Sequence, residues 1–143
     1  MTGIILCALD ISQKEHEEKV LRRAAQIAEI DNARLDVITV VPSYHNSMVA
    51  GYFSPDYHDR AVAETRRALS DFVEATLGAE ANAGMRHVVA TGTVYEEVLA
   101  VAEADGASVI VLGSHRPALR DYLIGPNASR VVRQTGCSVF VVR

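Results

Sequence analysis

The sequence predicts an α/β domain: a five-stranded parallel sheet in the order 3-2-1-4-5, wound by helices on both faces. Three observations predict it. Five short apolar runs recur along the 143 residues. Helix-like segments separate them in regular alternation. Each run is apolar at successive positions, as a strand covered on both faces must be. Right-handed crossovers leave few arrangements of such a chain. The order 3-2-1-4-5 puts a switch point between strands 1 and 4, and such sheets bind ligands at the carboxyl ends of the strands there. One domain over residues 1–143 is expected.

The elements follow in order. "GIILCALD" (3–10) is the first strand, with Asp10 at its end. Ser12 and Glu15 spell a capping box for the helix after it. Val20, Leu21, Ala24, Ile27 and Ala28 give that helix its apolar stripe. "RLDVITVV" (34–41) is the second strand. The stretch 42–54 is long for a connection, and it carries Tyr44, Met48, Tyr52 and Phe53. A lid, a subunit contact and a disordered excursion all fit it; a partly ordered flap near the site is favoured. Ser54-Pro55 suits a cap and first helical position. Ala61, Thr65, Leu69, Phe72 and Leu77 then recur at helical spacing, and Gly78 stops the helix. "MRHVVATG" (85–92) is the third strand. Thr93 with Glu96 repeats the capping box ahead of Val94, Val98, Val101 and Ala102. "ASVIVLGS" (107–114) is the fourth strand. Gly125-Pro126 opens a last helix with Ala128, Val131 and Val132 inward, and "CSVFVVR" (137–143) is the fifth strand.

Composition narrows the function classes. The net charge is −4, so no general basic field draws the chain to nucleic acid or to anionic lipid. No apolar stretch approaches a membrane span, and no targeting segment precedes the first strand; a cytoplasmic protein is expected. Cys7 and Cys137 lie in apolar runs and read as buried core residues. The five histidines are scattered, so no metal site is expected. Glu15, Glu17 and Glu18 read as acidic complements to a helix N-terminus. Arg22-Arg23 and Arg66-Arg67 read as solvated helix faces.

The segment from Gly113 to Ala128 carries the candidate chemistry. Gly113 ends the fourth strand, and Gly125 lets backbone approach a ligand. A helix N-terminus offers free amides to an anion. Pro126 cannot donate, but Asn127 and Ala128 can. His115 and Arg116 lie between the glycines, and Arg116 suits bidentate contact with phosphate. The same glycines also fit a plain strand end and a plain helix cap. Neither a P-loop nor a dinucleotide fingerprint is present.

Four stretches, "ILCALDIS" (5–12), "VITVVP" (37–42), "TGTVYEEVLAVAEADGASVIVLGSHR" (91–116) and "YLIGPNASRVVRQTGCSVFVV" (122–142), together resemble the universal stress protein family. The likeness is to the branch whose glycine loop reads Ser-His-Arg-Pro. It implies a Rossmann-like domain that dimerises, often through its last strand, here Val139–Val142. It also implies bound ATP, with Mg as an optional companion, on a loop of the form G-x2-G-x9-G-[ST]. By this resemblance Asp10 sits near the nucleoside, and the Val40 backbone reads the adenine edge. Gly113 and Gly125 are the first and last glycines, and Asn127 and Ala128 face phosphate. The pattern is altered: Arg116 replaces the middle glycine, the interval to Gly125 is one residue short, and Pro126 replaces the hydroxyl residue. Ala8 stands where the family often has proline. The nucleotide-binding set is thus Ala8, Asp10, Val40, Gly113, His115, Arg116, Gly125, Asn127 and Ala128.

No catalytic constellation accompanies this set. Asp10 reads as a ligand acceptor or a local cap. His115 has no carboxylate partner in sequence, and neither Ser12 nor Ser114 sits in a nucleophile elbow. The expectation is a regulatory stress-response dimer, switched by adenine nucleotide and read by an unidentified protein partner, with at most slow hydrolysis. The alternative is a nucleotide-independent adaptor dimer with a degenerate loop. A phosphotransferase or ATPase ranks third.

Overall fold

A computed structural model describes residues 3–42, 56–114 and 125–143. Its strands are β1 (Ile4–Ala8), β2 (Arg34–Val41), β3 (Arg86–Thr91), β4 (Val109–Gly113) and β5 (Ser138–Val142). Its α-helices are α1 (Lys14–Asp31), α2 (Tyr57–Leu77), α3 (Ala79–Ala83), α4 (Val94–Asp105) and α5 (Pro126–Gln134). All neighbouring strands are parallel, and the order is β3-β2-β1-β4-β5, as expected from the sequence.

Strand alternation sorts the core into two layers. Ile5, Cys7, Val37 and Val111 face α1 and α2, where they meet Val20, Leu21, Ala24, Leu69 and Phe72. Leu6, Ile38, Ile110 and Leu112 face the other way, onto Val98 and Ala102 of α4 and Ala128 and Val131 of α5. The edge strands β3 and β5 are only partly covered. At the amino ends of the strands, the wholly buried Asp36 is held by a two-bond fork from Arg34 at 2.8 and 2.9 Å. Arg86 adds a second cation 3.7 Å away. A carboxylate can lie in a strand interior there because it is paired and hydrogen-bonded.

Several local expectations are corrected. Ser12 does not cap α1. Asp10 caps a 3-10 turn over Ile11–Gln13, accepting from the Ser12 amide at 3.1 Å and its hydroxyl at 2.5 Å. A carboxylate two residues upstream reaches those donors, so Ser12 serves as donor rather than acceptor. Thr93 does stand at the start of α4, but its side chain makes no capping bond. Ser54 and Pro55, and most of the 42–54 connection, lie outside the described residues; α2 starts at Tyr57 after Asp56. Gly78 ends α2 with φ +97°, which glycine tolerates, and the short α3 follows it. Cys7 is fully buried, whereas Cys137 is half-buried beside Thr135. Val132 is 46% exposed, because the inward stripe of α5 is only as wide as Ala128 and Val131.

The two-layer core predicts a sharp contrast. Ile110→Ala opens a void in the inner sheet and lowers unfolding free energy by about 2–5 kcal/mol in urea titration. Ile30→Ala, at a position 81% exposed, changes it by no more than about 0.5 kcal/mol.

Candidate functional site

The site forms where the chain leaves β1 and β4. The connection from β1 to β2 runs through α1 on one face, and the one from β3 to β4 runs through α4 on the other. The carboxyl ends of β1 and β4 therefore border an open crevice. A cleft of about 530 Å³ occupies it, within the size range of small-molecule sites. Seven residues expected from the sequence line it: Ala8, Asp10, Val40, Gly113, Gly125, Asn127 and Ala128. His115 and Arg116 lie outside the described residues.

Each wall has a structural cause. The β1–β2 ladder ends with Ala8 opposite Ile38, and the Leu9 amide makes a last bond to the Ile38 carbonyl at 2.9 Å. Alternate residues of a strand point their N–H and C=O to the same side. The backbone polar groups of Val40 therefore point where β1 has already turned away. On the opposite wall, the Ser114 amide donates to the Val142 carbonyl at 2.8 Å, tying the end of β4 to β5. The Gly125 amide donates to the Ser114 carbonyl, so the backbone at 114 and at 125 meets. Gly125 caps α5 with φ −70° and ψ 166°, a conformation open to any residue. Pro126 occupies the first turn, and the amides of the next residues face out of the helix start.

The floor holds one of the acidic residues read from the sequence as a complement to a helix N-terminus. Glu17 is only 7% exposed and lines the cleft. Its Oε1 accepts from the Asp10 amide at 2.7 Å, and its Oε2 is buried with no hydrogen-bond partner among the described residues. Burial pushes its carboxyl up to about 7; the Asp10 amide bond opposes this and the Asp10 charge adds to it. Directly below, the buried Cys7 thiol is raised by its own burial and then by Glu17. A Cβ at Gly113 would lie 3.4 Å from Glu17 Oε2 and 3.3 Å from His16 Nε2. Glycine at 113 is thus what lets α1 bring these two side chains against β4. Glu15 and Glu18 behave as surface groups, and Glu18 pairs with Arg22 at 2.8 Å. Glu17 does not, and its signal was present: it extends the apolar stripe of Val20, Leu21, Ala24 and Ala28 backward by one turn. Among the described residues no cluster of His, Cys, Asp and Glu could hold a metal ion, and no helix is long and apolar enough to cross a membrane.

Residues 1–143 match the universal stress protein family from end to end. The chain belongs to that family. Universal stress protein G of Shigella flexneri is 30% identical over 146 residues, covering all of both chains. Among solved structures, universal stress protein UspA from Lactobacillus plantarum matches with a TM-score of 0.74 at 22% identity, over 99% of this chain and 98% of that one. A universal stress protein solved in complex with cAMP matches with a TM-score of 0.67 at 19% identity, over 99% and 97% of the two chains. The resemblance read from the sequence therefore holds at the level of the family, and the family fold is the one described.

Glu17 makes stability depend on pH. The native state keeps its proton above the usual 4.5 and releases it as pH rises through about 7, so its contribution falls across that window. Glu17→Gln keeps an acceptor for Asp10 without the charge. In urea titrations it is about 2–3 kcal/mol more stable than wild type at pH 8 and nearly equal at pH 5.

Proposed function

We propose that this chain is a single nucleotide-binding domain over residues 1–143, a stress-response regulator that takes an adenine nucleotide, with ATP as the leading candidate. One observation carries the reading: a single cleft has an outward-facing strand edge at Val40 on one wall and helix-start amides at Asn127 and Ala128 on another. The first suits the edge of a purine, and the second suits phosphate oxygens. Asp10, between them at the end of β1, suits a ribose hydroxyl. The relative solved with cAMP supports an adenine nucleotide as the ligand class. The altered loop bears on the phosphates. Pro126 removes a donor and the interval is short, so Asn127 and, from the Ser-His-Arg-Pro stretch of residues 114–117, Arg116 take over phosphate contacts. Mg is an optional companion of the phosphates, and among the described residues no cluster of His, Cys, Asp and Glu offers it ligands. The function proposed for this cleft is binding, with at most slow hydrolysis.

The regulator acts as a cytoplasmic homodimer, with nucleotide ordering the surface that a protein partner reads. Phe140, 41% exposed on the edge strand β5, favours pairing through Val139–Val142, since an apolar edge left open invites association. The same exposure supports a second reading, a nucleotide-independent adaptor dimer.

One experiment separates the two. Protein purified without added nucleotide is denatured and its supernatant examined for adenine absorbance and nucleotide mass. Calorimetry with ATP follows on wild type and Gly125→Val, and sedimentation gives the assembly state. The nucleotide reading expects binding that Gly125→Val weakens by about tenfold or more, the factor equivalent to about 1.4 kcal/mol. A sedimenting dimer with no heat at millimolar ATP establishes the adaptor reading instead. Binding untouched by Gly125→Val removes the phosphates from the start of α5.

A further inference from the structure

We propose that Glu17 is a proton-linked positioning residue for the anionic part of the ligand: protonated, it holds the Asp10 turn without opposing the ligand's charge, and on losing its proton it weakens anion binding. This rests on the nucleotide reading and deepens it by adding a regulator, the proton.

The geometry comes first. Glu17 reaches from α1 into the floor of the cleft, and one oxygen fixes the backbone of Asp10 at 2.7 Å. The other oxygen is buried without a partner among the described residues and lies against Gly113, where β4 ends. A surface carboxylate would satisfy both oxygens with water; this one is walled off by the sheet. A phosphate at the Gly113 and α5 side of the cleft then adds negative charge on the far side of a residue that has no side chain to screen it. Charges interact strongly across such a partly dry gap.

The described groups around Glu17 come from three elements. From β1 and its turn, the described titratable neighbours are Cys7 and Asp10, neither of them cationic. From α1 itself there is His16, whose ring also borders Gly113. From β4, the neighbour is Gly113. The raised proton affinity of the carboxyl, to about 7, places the change of charge within the range a cell can visit. Linkage is reciprocal. If a bound anion raises the proton affinity of Glu17, the proton raises the affinity for the anion, so binding strengthens as pH falls from 8 to 6.

The test has two arms. First, the side-chain carboxyl of Glu17 is followed by carbon-13 NMR in the ligand-free protein, with Glu17→Gln supplying the assignment. A midpoint near neutrality is expected; one near 4.5, the ordinary value, overturns the proposal. Second, calorimetry measures ATP binding at pH 6 and pH 8 for wild type and Glu17→Gln. Both proteins keep Asp10, His16 and Cys7 and see the same ionisation of ATP, so the difference between them belongs to Glu17. The wild-type affinity ratio, pH 6 over pH 8, is expected to exceed the variant's by about fivefold, which is what one pKa unit of coupling gives between these two pH values. Binding with equal pH dependence in the two proteins overturns the linkage alone. No binding by either protein at either pH, with the carboxyl midpoint near neutrality, overturns the nucleotide reading and the linkage with it.

Discussion

The central strand β1 has parallel neighbours on both sides, and the helices that lead into those neighbours lie on opposite faces of the sheet. Nothing can then cover the ends of β1 and β4 without bridging both layers. That constraint follows from right-handed crossovers, and every feature of the site depends on it. The crevice exists because β1 stops at Ala8 while β2 continues to Val41. Beyond Ile38, Val40 turns its backbone groups to the side that β1 has left, while Val41 still accepts from the Gly92 amide on the β3 side. The start of α5 faces the same space because Ser114 and Gly125 are joined through the backbone.

The floor of this crevice departs from simple economy. Filling position 17 with an apolar side chain would extend the stripe of α1 and leave no buried charge. A carboxyl there gains the Asp10 amide but leaves an oxygen without a partner among the described residues. Local cost of this kind tends to collect at functional sites. The contrast with Asp36 is instructive. That carboxylate is buried more completely, yet two guanidinium groups surround it at the other end of the strands. One buried acid is a structural clamp, and the other is poised to change charge.

The fold was legible because its signals are redundant. Runs such as "IILCALD" and "SVIVLG" are apolar on both faces, and the stripe of Val20, Leu21, Ala24 and Ala28 has helical spacing. The placement of Asp10, Val40, Gly113, Gly125, Asn127 and Ala128 around one cleft was legible too, since it follows from strand ends and a helix start. What misled was local competition. Asp10 reaches the donors of Ser12 before Ser12 can cap a helix. Glu17 sits among four acidic and basic neighbours, and a charge-rich helix start reads as solvent-facing unless each position is checked against the apolar stripe. Val132 looked inward because spacing alone does not say how narrow a buried face is.

The central claim is that the crevice at the ends of β1 and β4 is where a nucleotide is held. The most direct measurement is a map of backbone amide shifts by nitrogen-15 NMR as ATP is added. The account predicts saturable shifts at Val40, Gly113, Asn127 and Ala128, with the amides of Arg34, Arg86 and Ser138 at the opposite strand ends unmoved. Saturable shifts confined to those opposite ends or to β5, with Val40 and Ala128 silent, would contradict it.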